Sequence, residues 1–212
     1  MKNNVLKGLL ASVYAMILLM VLISNFTSRT SESWRFFYAF TQQSNIIVLI
    51  WLVLFSVNVF SPKRFKFVTN KTLMVAITTY ISITFFIVTF ILEPFYLGKF
   101  SPASSTGELF LHNLTPIVMW IYFFTVKTKD DLPLKKTPLV LIYPLIYVIL
   151  NLIIGYTVTY EDGSMAFAYG FTNPNNYGNI FMFIIAIIGL VIVFSLFSIS
   201  LSKLKKWIDT NI

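Results

Sequence analysis

The chain has 212 residues, 57% of them apolar and only 11% charged, with a mean hydropathy of +0.79. That leaves too little polar surface to cover a water-soluble globule, which excludes a soluble domain and points to an integral membrane protein. The net charge of +8 lies in short basic clusters between apolar stretches, where it orients the chain against a bilayer and argues against nucleic acid as a partner.

A helix needs about 20 apolar residues to cross roughly 30 Å of hydrocarbon. The sequence predicts six such spans, near 5–25, 34–60, 72–96, 109–127, 138–158 and 177–202, in a single domain over 1–212. The first follows Lys2 and Lys7 like a signal peptide, yet no small-x-small cleavage site precedes Asn25, so it reads as a retained anchor. The second opens with the polar run Thr41-Gln42-Gln43-Ser44-Asn45, and the third closes at Glu93-Pro94. The fourth carries His112, Asn113 and Pro116; the fifth carries Pro144, Asn151 and Tyr156. Proline inside a helix predicts a kink and a freed carbonyl that can bind a partner. Residues 159–176, rich in Gly, Pro, Asn and aromatics, predict a loop of turns at the interface ahead of the sixth span.

Thirteen basic residues fall on one side of this arrangement, among them Lys2, Lys7, Lys63, Arg64, Lys71, Lys127 and Lys205, against Arg29, Arg35 and Lys99 on the other. By the positive-inside rule both termini are cytoplasmic. The expected fold is all-α, a polytopic membrane protein of six transmembrane helices. With no cysteine there are no disulfides or thiolate nucleophiles, and one histidine among few carboxylates argues against a protein-held metal.

The apolar part of the second span, Ile46 to Phe60, is only about 22 Å long at 1.5 Å per residue, so Thr41 belongs at the outer edge of the hydrocarbon. The same count on the fourth span sets His112 at that depth, with Asn151 and Tyr156 at comparable levels. Thr41, Ser44 and Asn45 stand at i, i+3 and i+4 and share a face directed into the bundle, whereas Gln42 and Gln43 point round toward neighbouring helices or headgroups. Bland readings compete at each position. A membrane threonine usually bonds back to the carbonyl four residues earlier. Adjacent Gln, Ser and Asn hold helices together, and a lone histidine near a helix end is more often packing than a base.

The strings "FFYAFTQQSNIIV" and "ELFLHNLTPIVMW", with the segment from Tyr143-Pro144 to Tyr147, resemble the androgen-induced protein family, over about residues 34 to 190. The resemblance implies an intramembrane threonine hydrolase of lipid esters, notably fatty acid esters of hydroxy fatty acids, with the threonine at Thr41 and the histidine at His112. It departs from the family where a tyrosine-proline pair in the last outward loop is replaced by Tyr169-Gly170.

The chemistry fits that implication, because a threonine hydroxyl needs an adjacent base and neutral imidazole is suited to accept its proton. Substrate-binding or oxyanion candidates are Gln42, Ser44, Asn45, Asn113, Asn151 and Tyr156, with Glu93 as a weak choice for orienting the imidazole. Membrane lipids and a lipid ester substrate are the expected partners, with no metal or other cofactor. Abundant Ile, Lys and Asn fit a bacterial plasma membrane. Two other readings stay open: a small lipid-binding or transport protein without catalysis, and a structural protein whose polar layer only locks helices.

Overall fold

The computed structural model describes residues 2–28, 34–61, 64–92, 105–129, 133–160 and 162–211. They are almost entirely helical, with no strand among them and two isolated bridges, Asn70 with Lys129 and Thr159 with Met165. Five helical segments, Asn4–Thr27, Phe40–Phe60, Lys71–Leu92, Lys135–Thr157 and Ile180–Asn211, are long and apolar enough to cross a membrane. Large apolar side chains such as Leu10, Met20, Phe181, Ile185 and Leu196 are more than half exposed along them. Such a surface belongs in lipid, and the protein is an all-α membrane protein.

Helix α1 (Lys2–Thr27) lies along α3 (Phe40–Phe60), its most extensive neighbour. Gly8 permits the approach, since a Cβ there would meet Val59 Cγ1 at 2.8 Å. The Gly8 carbonyl then accepts the hydroxyls of Ser12 at 3.1 Å and Ser56 at 2.9 Å, which also bond each other. Between α1 and α3 runs the short helix α2 (Trp34–Tyr38).

The span expected as one helix over 34–60 is broken at Ala39, whose φ of −72° and ψ of 129° are extended. Polar side chains compete with the helical ladder here. Gln43 Nε2 takes the Phe37 carbonyl at 2.8 Å, the acceptor that the Thr41 N–H would use in an unbroken helix. That N–H instead donates to the Tyr169 hydroxyl at 3.1 Å.

Helix α4 (Lys71–Ile87) is capped by Asn70, whose side chain accepts from Leu73 N at 3.2 Å, and continues as a π-helical segment, Val88–Leu92. Glu93 and Pro94 lie outside the described residues. The fourth predicted span starts as a single turn, Thr106–Glu108, widens into a π-helix, Leu109–Leu114, and becomes α5 (Thr115–Thr125). The fifth starts as a 3-10 helix, Leu134–Leu141, before α6 (Ile142–Thr157). The last helix, α7 (Ile180–Asn211), runs nine residues past the expected end at 202.

The two prolines expected to kink helices, Pro116 and Pro144, stand where irregular helix gives way to α, in the first turns of α5 and α6. Because α5 follows directly on π-helical turns, the N–H that Pro116 lacks is one that a preceding carbonyl would have used.

One apolar core is built by Leu18, Trp51, Leu52, Met74, Met119, Phe123 and Leu201 from five helices. A second gathers Phe40, Ile83, Ile87, Leu141, Tyr147 and Phe194 around the start of α3. The candidate site lies at that second core.

Candidate functional site

Thr41, Gln42, Ser44 and Asn45 are all buried, at 6%, 4%, 0% and 0% exposure. Each addresses a different neighbour. Ser44 Oγ donates to the Thr41 carbonyl at 3.0 Å and bonds Thr84 Oγ1 of α4 at 2.7 Å. Gln42 Nε2 donates to Asn25 Oδ1 of α1 at 3.1 Å, so this side chain reaches a neighbouring helix. Half-buried Gln43 accepts the Tyr143 hydroxyl of α6 at 2.6 Å.

Asn45 ties together the two segments that matter most. Its Nδ2 donates to the Thr41 carbonyl at 2.8 Å and to the Leu111 carbonyl at 3.0 Å. The second bond follows from local backbone geometry. In the π-helix the Thr115 N–H reaches back five residues to the Phe110 carbonyl. The equivalent partner of Leu111 is Pro116, which has no N–H, so that carbonyl is freed for a side chain.

The Thr41 hydroxyl does not bond back along its own helix. It lies 3.1 Å from Tyr169 Oη, the atom that also accepts the Thr41 N–H. Tyr169 comes from the loop between α6 and α7. It stacks on Phe171, and the loop is pinned through Thr172, which donates to Asn151 Oδ1 at 3.1 Å.

Asn151 is fully buried and engaged at both ends of its amide, for its Nδ2 donates to Tyr147 Oη at 3.2 Å. Its carbonyl also accepts the Tyr38 hydroxyl at 3.1 Å. It holds the loop and is not open to a ligand. Tyr156 is 54% exposed and packs edge-on against Phe167, so it does not join the layer.

A cavity of about 90 Å³ opens beside Thr41, walled by Phe40, Thr41, Ile83, Thr84, Ile87, Tyr147, Tyr169, Thr172, Leu190 and Phe194, among others. Its lining is almost wholly apolar carbon, with hydroxyls confined to a few positions that include Thr41, Thr84, Tyr169 and Thr172. Such a space accepts hydrocarbon in preference to water.

His112 and Asn113 are half-buried in the π-helix Leu109–Leu114. The imidazole follows the residue whose carbonyl Asn45 holds, but it does not line the cavity. Among the described residues no hydrogen bond joins it to Thr41. Glu108, four residues earlier, acts on it electrostatically. Sequence reasoning passed over Glu108 as a partner and missed the bond from Tyr169 to Thr41. The i, i+4 spacing of Glu108 and His112 was a usable signal. Tyr169 was marked only by the resemblance, as half of Tyr169-Gly170, and its spacing of 128 residues from Thr41 gave no sign that the two meet.

No family model matches the chain, and no solved structure matches it. It is similar to an uncharacterized protein, MG452, of Mycoplasma genitalium, with 28% identity over 177 residues, 78% of this chain. The match spans 66% of that protein's length.

Proposed function

We propose that the protein is a six-span enzyme of a bacterial plasma membrane, with both termini cytoplasmic. It takes an acyl chain of a lipid ester into the cavity and hydrolyses the ester with Thr41 as nucleophile and His112 as base. The observation that carries this reading is the pair of hydrogen bonds from the Asn45 amide to the carbonyls of Thr41 and Leu111, which ties the hydroxyl-bearing helix to the imidazole-bearing one. The apolar cavity beside Thr41 supports an acyl chain as the occupant.

In this mechanism the ester carbonyl accepts a hydrogen bond from the Tyr169 hydroxyl, which releases the Thr41 hydroxyl toward the imidazole. His112 removes the Thr41 proton as Oγ1 attacks the carbonyl carbon, and the Tyr169 hydroxyl stabilises the oxyanion. The alcohol departs with the proton from His112. Water then releases the fatty acid from Thr41.

The purified protein in nanodiscs is tested on fatty acid esters of hydroxy fatty acids beside Thr41→Ala and His112→Ala. Each substitution is expected to lower turnover by about 100-fold or more. Equal turnover in all three removes the mechanism.

A second reading, lipid binding without cleavage, is favoured by the engagement of the Thr41 hydroxyl by Tyr169 and by the place of His112 outside the cavity wall. It predicts that lipid raises the melting temperature while Thr41 never becomes acylated.

A further inference from the structure

Two acceptor oxygens at the start of α3, Gln42 Oε1 and Asn45 Oδ1, receive no hydrogen bond from any described residue. Both side chains are more than nine-tenths buried. The Asn45 amide cannot be turned over to relieve this, because its nitrogen serves two carbonyls, and a flip would set oxygen against oxygen. The Gln42 nitrogen is engaged with Asn25 Oδ1. A buried amide oxygen without a donor is strongly disfavoured, so each atom calls for a partner.

The two oxygens share a sector of α3. Successive helical residues turn by about 100°, which sets Asn45 between Thr41 and Gln42 around the helix axis. Gln42 reaches α1, and Asn45 reaches the π-helix that carries His112. A π-helix is wider than an α-helix and is frequent at functional sites. The ligand that matches two acceptors and offers two hydrogens is a water molecule.

We infer that Gln42 Oε1 and Asn45 Oδ1 bind one enclosed water beside Thr41, and that this water hydrolyses the acyl-Thr41 intermediate. Its role rests on the hydrolase reading; the site itself does not. In the step, one water hydrogen leaves its amide oxygen and passes as a proton to His112, the other stays on the second amide oxygen, and the water oxygen bonds to the acyl carbon. The bond from that carbon to Thr41 Oγ1 then breaks, and the proton on His112 passes to Oγ1. The fatty acid leaves, and both side chains return to their starting forms.

The test is a structure of the full chain in a lipid phase at a resolution that shows ordered water, together with mass measurement of the whole protein after mixing with a lipid ester. Density at hydrogen-bond distance from both oxygens is expected in the parent and absent from Gln42→Met. In that variant acylated protein accumulates, because deacylation slows by about 10-fold relative to acylation, the worth of one hydrogen bond. A parent map empty between the two oxygens overturns the site, as does density at the short distances of a coordinated metal cation. An unchanged ratio of the two rates overturns the hydrolytic role. Water density in a parent that never becomes acylated supports the site and removes the hydrolase reading alone.

Discussion

The two ends of the bundle use buried polar groups in opposite ways. At the lysine end Lys7 and Lys205 are both engaged, by main-chain carbonyls and a carboxylate. Lys7 Nζ donates to the Thr125 carbonyl and Lys205 Nζ to the Val126 carbonyl, each at 2.6 Å, so two cations cap the C-terminus of α5. Lys205 also pairs with Asp209 at 2.9 Å, and Asp209 accepts both the N–H and the hydroxyl of Thr128. Trp51, stacked on Phe55 at 5.0 Å, donates to the Val68 carbonyl at 3.0 Å. At the Thr41 end a cavity adjoins the polar layer, and two amide oxygens there lack donors. Thr137 Oγ1, beside Lys135 and Lys136, is also buried without a partner among the described residues, so what sets the Thr41 end apart is the cavity that adjoins its unpaired oxygens.

The sharpest way to break this contrast is Lys205→Ala. The side chain is fully buried, and its loss leaves Asp209 and the Val126 carbonyl without their cation. Removing one partner of a buried pair is expected to destabilise by about 3 kcal/mol, read as a lower melting temperature in detergent. Replacing both partners with apolar residues, Lys205→Met with Asp209→Leu, is expected to recover only the part due to the unpaired charge, because Thr128 and the Val126 carbonyl still lose their partners. Lipid binding or hydrolysis per folded molecule stays unchanged if the two ends are independent. Loss of that activity in the folded fraction would join them.

Gly155→Ala probes the other end. A Cβ on Gly155 would lie 2.3 Å from Phe167 Cε1, and that buried ring belongs to the loop carrying Tyr169. Overpacking of this kind is expected to destabilise by about 1 to 3 kcal/mol and to displace the loop from Thr41. Hydrogen exchange localises the effect: protection falls around Tyr169 and Thr41 while the amides near Trp51 and Val68 keep theirs. Uniform loss of protection across both ends refutes the division.

The membrane-embedded, all-helical class was legible in the sequence, because long apolar runs constrain the backbone whatever the tertiary arrangement. So was the shared face of Thr41, Ser44 and Asn45, which their spacing dictates, although Gln42, off that face, is buried as deeply. The freed carbonyl expected of Pro116 is real, though π geometry moves it to Leu111, and a proline by itself does not reveal that register. The break at Ala39 and the engagement of Asn151 depend on Tyr169 and Thr172, whose loop meets α3 and α6 only after folding. Periodicity carries no information about such long-range partners.

The smallest effect concerns the turn at the tip of that loop. Asp162 accepts the Ser164 hydroxyl at 2.6 Å and its N–H at 2.8 Å, and these bonds hold its carboxyl below the ordinary value of 3.8. The turn is closed by Tyr160 N–H to the Ser164 carbonyl at 2.8 Å, with Gly163 at a φ of 80° that suits glycine. A depressed carboxylate contributes fully above its unfolded value and loses that contribution as pH falls through the folded one. The turn is therefore held at neutral pH and loosens only in acid below 3.8. An NMR titration of Asp162 is expected to show a midpoint under that value, and Ser164→Ala is expected to raise it. Because Asp162 is fully exposed, the melting temperature barely moves with this titration. Any change in lipid binding between about pH 5 and 8 must then come from a group other than this carboxylate, and Asp162→Asn should leave such a change in place.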